Sequence, residues 1–136
     1  MKAWPNTKKK TILKTAFWIG AITDGLAAIV MIFPGLRICI WGADNFMITR
    51  EYRYALGMGA ALMLGWTVLL LWGSLKPIER RDLLVITVFP VITGIVLAQV
   101  YAVSSGYLEI KSLIPVWTHL TLISSFFLFT YFKSKK

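Results

Sequence analysis

One cysteine and one histidine, Cys39 and His119, are all the thiol and imidazole chemistry in this chain of 136 residues. A lone cysteine excludes an intramolecular disulfide and any dithiol relay, which needs paired thiols. A lone histidine excludes bis-histidine haem ligation within one chain. One His, one Cys and a distant Asp have no spacing that builds a zinc site. We therefore expect no metal and no cofactor, and a packing role for Cys39. Acid is scarce too: six Asp and Glu face fifteen Lys and Arg, for a formal charge of +9. The basic residues form short clusters between apolar runs, with no stripe of interleaved aromatics, so nucleic acid is not the expected partner. A Gly-rich phosphate loop and a nucleophile motif are both missing, which ranks catalysis last among the functions considered.

What is present is overwhelmingly apolar. Hydrophobic residues make up 57% of the chain and charged residues 15%, and the mean hydropathy is +0.69. A soluble domain of this length needs far more polar surface to cover its core. The length allows one domain, read as a single integral membrane domain over 1–136. Four apolar runs stand out, roughly 15–33, 54–74, 83–105 and 113–132. Each is close to the ~20 residues that cross ~30 Å of hydrocarbon. The second and third carry no charge, the first only Asp24, and the fourth only His119. Runs of this length in lipid must be helical, because closed barrels need alternating strands of about ten residues. The expected fold is all-α, a four-transmembrane-helix antiparallel bundle.

The start, "MKAWPNTKKKTILKTAFWIG", has the basic-then-apolar order of a secretory signal. Its apolar stretch is nevertheless long enough to span, contains Asp24, and leads to Pro34-Gly35-Leu36-Arg37 rather than a small-x-small cleavage site. We read it as a retained first helix. The connections "LKPIERRD" (75–82) and "SGYLEIKS" (105–112) are short polar links, and Pro77 suits a helix boundary. The longest connection, 34–53, mixes apolar and polar residues, and its Trp41 and Phe46 suit the headgroup zone. Eleven of the fifteen basic residues lie before the first run, between the second and third, or after the fourth. Arg37, Arg50, Arg53 and Lys111 are on the alternate side. This bias predicts an inner-membrane protein with both termini cytoplasmic, and basic tails that attract anionic lipid.

Intramembrane polar residues are the candidates for function. Positions 17, 20, 21, 24, 27, 28 and 31 share a helical face rich in small residues, so Asp24 should look into the bundle rather than at lipid. Gly57, Ala61 and Gly65 offer a matching close-packing stripe on the second helix. At 1.5 Å per residue, Asp24 lies about 14 Å below the outer end of its run, and Gln99 and His119 about 9 Å below theirs. Antiparallel threading then puts all three in the outer half of the bilayer. Tyr52, Tyr54, Tyr101 and the Arg50, Glu51, Arg53 cluster would ring a mouth above them, and Trp66 is packing or one pocket wall. Asp24 could instead be neutral and bridge helices as structural glue. His119 could be satisfied by a neighbouring carbonyl. Thr67, Thr87, Thr93 and Ser124 are expected to bond their own helices, and Pro90 to kink the third.

The string "GWTVLLLWGSLKPIERRD" (65–82) resembles one in small prokaryotic four-helix membrane proteins, a likeness that carries no activity. Four spans with one acid in the first also resemble the small multidrug resistance transporters, whose acidic residue binds protons and cationic substrates in competition. That resemblance implies such a role for Asp24 alone, which departs from the family's Glu. The charge bias and the long 34–53 connection depart from it too. Three functions follow as expectations. The first is an outward-opening pocket that binds or transports a small lipophilic or cationic ligand. The second is an accessory or assembly subunit that packs against a second copy or a larger membrane partner. The third is a membrane enzyme using Asp24 and His119 as an acid–base pair.

Overall fold

The computed structural model describes residues 5–33, 35–36, 49–106 and 108–135. Cys39, Trp41 and Phe46, and the interfacial segment expected around them, lie outside the described residues. Among those described, the structure is all helical, without strands. Its four long helices are α1 (Asn6–Ile32), α2 (Arg50–Leu75), α3 (Asp82–Ser104) and α4 (Ile110–Lys135), each long and apolar enough to cross a membrane.

The helices outrun the apolar stretches. Helix α1 starts at the basic segment, where Pro5 has no N–H to lose and its carbonyl accepts from the Lys9 N–H at 3.2 Å. The Thr11 and Thr15 hydroxyls then donate to the carbonyls four residues back. Helix α2 is capped by Thr49, whose hydroxyl accepts from the Tyr52 N–H at 3.2 Å. It ends at Leu75, two residues before Pro77. Gly106 closes the end of α3 with φ +71°, a backbone conformation glycine adopts without strain.

Pro90 has a specific consequence. It lies in a stretch of wider π turns, Thr87–Ile92, within α3. Proline lacks the N–H for the ordinary ladder, and its ring crowds the carbonyl four residues back. Past it, the Thr93 N–H is directed to the carbonyls of Pro90 and Val88, three and five residues earlier. The Thr93 hydroxyl donates to the Val88 carbonyl at 3.0 Å. The wide turns thus stand where a kink was expected.

The chain divides into two compact units. One comprises residues 1–17 and 73–136, so it holds the start of α1, the end of α2, and α3 with α4. Leu13, Ala16 and Phe17 of α1, Leu84, Val88 and Ile92 of α3, and Leu113, Ile123 and Phe127 of α4 are buried in it. Gly73 makes room for Phe17: a Cβ at Gly73 would stand 2.7 Å from Phe17 Cε1 and 3.1 Å from Leu83 Cδ1. Two bonds join α3 and its preceding link to α4. Arg81 Nη1 donates to the Ser134 carbonyl at 3.4 Å, and Trp117 Nε1 donates to Gln99 Oε1 at 2.8 Å. The start of α3 is thereby paired with the end of α4, and the end of α3 with the start of α4.

The second unit, Trp18–Trp72, pairs the rest of α1 with most of α2. A Cβ at Gly25 would lie 3.6 Å from Thr67 Cγ2, and one at Gly59 would lie 3.3 Å from Met31 Sδ. Ala21, Ala28 and Ala60 are buried. The small-residue face expected on α1 is therefore its packing face. The stripe expected on α2 is not: Gly57, Ala61 and Gly65 are exposed, and a Cβ at Gly57 or Gly65 would meet nothing within 4 Å. The packing row of α2 instead runs through Gly59, Ala60 and Thr67. A four-residue spacing of small residues marks a surface where helices can approach, not which surface they use.

Gly73 yields a prediction. Alanine in a helix interior gains about 1 kcal/mol over glycine in propensity. Overpacking a well-filled site costs about 1–3 kcal/mol, and the obstacle here is a buried ring. We expect Gly73→Ala to lower the thermal midpoint of the detergent-solubilised protein, and Phe17→Leu in that background to restore part of the loss. A Gly73→Ala variant as stable as wild type would show that the ring has room to move.

Candidate functional site

Asp24 is on the packing face of α1, one turn from the buried Ala21 and Ala28. The residue is half-buried. Its Oδ2 is shielded from solvent and has no hydrogen-bond partner among the described residues. On α2, the Thr67 side chain that packs by the neighbouring Gly25 donates its hydroxyl to the carbonyl of Met63 at 2.8 Å. An aspartate at the centre of a membrane helix costs about 2.5–3.5 kcal/mol on insertion scales. The fold tolerates one here and leaves its Oδ2 without a hydrogen-bond partner among the described residues, as it does the buried hydroxyl of Thr130 on α4.

The other candidates in this unit lie on α2. Trp66 is half-buried on α2. Arg50, Glu51 and Arg53 are exposed in the first turn of that helix, and Tyr54 is 72% exposed. Tyr54 is thirteen residues from Thr67, or about 20 Å along the axis. Arg50, Glu51, Arg53 and Tyr54 thus sit at the start of α2, far along the axis from the level at which Gly25 meets it.

Gln99, Tyr101 and His119 belong to the first unit. His119 is exposed on α4 and Tyr101 is 75% exposed on α3. Gln99 is half-buried and already engaged through its carbonyl, which accepts from the Trp117 indole at 2.8 Å. Its NH2 donors remain available for a second partner. Trp117 is the residue that sequence reasoning missed. The signal was there, since Gln99 and Trp117 flank the short link at similar distances, and an indole N–H in a span seeks an acceptor. Thr67, Thr87 and Thr93 bond within their own helices, as expected. Among the described residues, no cluster of three His, Cys, Asp or Glu is placed to hold a metal ion.

By helix length and composition, the class these elements define is a helical membrane protein with four candidate spans. Comparison with protein-family models, with curated proteins and with solved structures finds no match. Any functional reading therefore stands on the residues themselves.

The Gln99–Trp117 bond predicts a measurable coupling. Interhelical hydrogen bonds in membranes average about 0.6 kcal/mol, with a maximum near 1.7 kcal/mol. In a double-mutant cycle of Gln99→Leu and Trp117→Phe, the double variant should be no less stable than the worse single one. Fully additive losses would mean that the two side chains do not interact.

Proposed function

We propose that the protein is a small inner-membrane protein that binds or transports a small lipophilic or cationic ligand, with Asp24 as the proton- and cation-binding group. The observation that carries this reading is the shielded, unpartnered Oδ2 of Asp24 on the packing face of a membrane-spanning helix. A ligand cation or a proton would satisfy that acceptor, and competition between the two is the simplest basis for coupled exchange. We place both termini in the cytoplasm, arrange the four helices antiparallel, and open the polar site outward. The charge bias supports this topology, as does the end-to-start pairing of α3 with α4. Arg50, Glu51, Arg53 and Tyr54 would meet a ligand first, at the mouth. Trp66 would offer an aromatic face, which suits an organic cation. His119, Gln99 and Tyr101 are proposed as further ligand-contacting groups.

A second reading, an accessory subunit of a larger membrane assembly, is favoured by the exposed Gly57, Ala61 and Gly65. Small residues left open on a helix are where another membrane helix can approach closely. Co-purification in mild detergent separates the two readings.

The test is binding of tetraphenylphosphonium, a lipophilic cation, to the purified protein across pH 5–9. Asp24→Asn keeps the shape and most hydrogen-bonding capacity while removing the charge. It should abolish binding, or its pH dependence, with the thermal midpoint little changed. His119→Gln, measured alongside, reports whether the imidazole contributes. Unchanged curves in both variants would reduce Asp24 to scaffold and remove the basis for a transport-like function.

A further inference from the structure

The basic residues of the unit formed by 1–17 and 73–136 are more than a topology signal. Arg80 and Arg81 lie on the link before α3, while Lys133 and Lys135 lie in the last turn of α4. The bond from Arg81 Nη1 to the Ser134 carbonyl brings the two segments together, with Ser134 between the two lysines in the chain. A helix C-terminus carries roughly half a negative charge, so it draws the cations in without neutralising them. The nearby acids are Glu79 and Asp82. Glu79 is paired with Lys76 at 3.3 Å, both largely exposed. Excess positive charge therefore remains at this end of the unit.

Apolar side chains stand open beside it: Ile78 is 39% exposed and Phe132 is 60% exposed. Cationic groups next to exposed hydrocarbon match the two chemistries of a phospholipid at the headgroup boundary. We propose that this end of the unit binds the phosphate of an anionic phospholipid, held by the guanidinium of Arg81 with Arg80, Lys133 and Lys135 around it. Arg81 is the anchoring group because its rigid fork of donors can hold a carbonyl with one nitrogen and a phosphate oxygen with another. The proposal rests on membrane insertion alone and is independent of the reading of Asp24.

The experiment is native mass spectrometry of the purified full chain in neutral detergent, titrated separately with phosphatidylglycerol and phosphatidylcholine. The expected result is saturable binding of phosphatidylglycerol in preference to phosphatidylcholine. Binding should weaken about fivefold for each cation removed, in Arg81→Gln and in the Lys133→Gln, Lys135→Gln double variant. Lys111→Gln should bind as wild type does. If Arg81→Gln fails to fold, the double lysine variant carries the comparison. Equal binding of the two lipids would overturn the proposal, as would affinities in the folded variants equal to that of Lys111→Gln. Displacement of the lipid by inorganic phosphate would also overturn it, by showing that the site takes a free anion.

Discussion

Inside a bilayer the backbone has no partner but itself, and the rest of this structure depends on that constraint. Each unpaired N–H or C=O in hydrocarbon costs several kcal/mol, so the apolar runs become helices irrespective of side-chain preference. The constraint also governs the exceptions. Pro90 removes a donor in mid-span, and α3 responds with wider turns in which Thr93 supplies both its N–H and its hydroxyl to the carbonyl of Val88. The hydroxyls of Thr67, Thr87 and Thr118 turn back on their own helices, whereas that of the buried Thr130 has no partner among the described residues. Asp24 differs from Thr130 in that its unpartnered oxygen belongs to a carboxyl group, the only acid within the apolar runs.

Lipid tails are as apolar as leucine, so burial from water does not drive these helices together. Close contact and polar bonds do. Each unit illustrates one version. In the unit over 18–72, Met31 Sδ comes within 3.3 Å of where a Cβ at Gly59 would stand, while Thr67 meets the corresponding position of Gly25 at an ordinary contact distance of 3.6 Å. In the other, Gly73 accepts the Phe17 ring, and two side-chain bonds tie α3 and its preceding link to α4 at opposite ends. Large side chains such as Leu62, Val68 and Leu122 remain more than 60% exposed, as befits groups whose neighbour is hydrocarbon.

The spans were legible because length and hydropathy decide them directly. So was the packing face of α1, since a 3.6-residue period fixes which side chains share a side, and Ala21, Asp24 and Ala28 fall together. The α2 face was misread from Gly57, Ala61 and Gly65, because small residues permit contact without choosing it. The row actually used runs through Gly59, Ala60 and Thr67, and Gly57 and Ala61 on either side are just as small, so size alone could not choose between them. Helix ends were underestimated at α1 and α4, where lysine and threonine continue a helix beyond the apolar stretch. Of the candidate site, the sequence identified Asp24 but not that its Oδ2 stands unpartnered, which depends on the side chains packed around it. Trp117 escaped notice because its partner lies eighteen residues away.

The proposed topology has the chain cross the membrane four times, with both ends inside and its polar mouth outside. Cysteine accessibility tests it most directly. In a Cys39→Ser background, single cysteines at Lys8, Asn45 and Lys135 would be probed with an impermeant thiol reagent, before and after opening the cells. Position 45 should be labelled in intact cells, and positions 8 and 135 only once the membrane is breached. Labelling of either terminal position in intact cells, with position 45 protected, would contradict that topology.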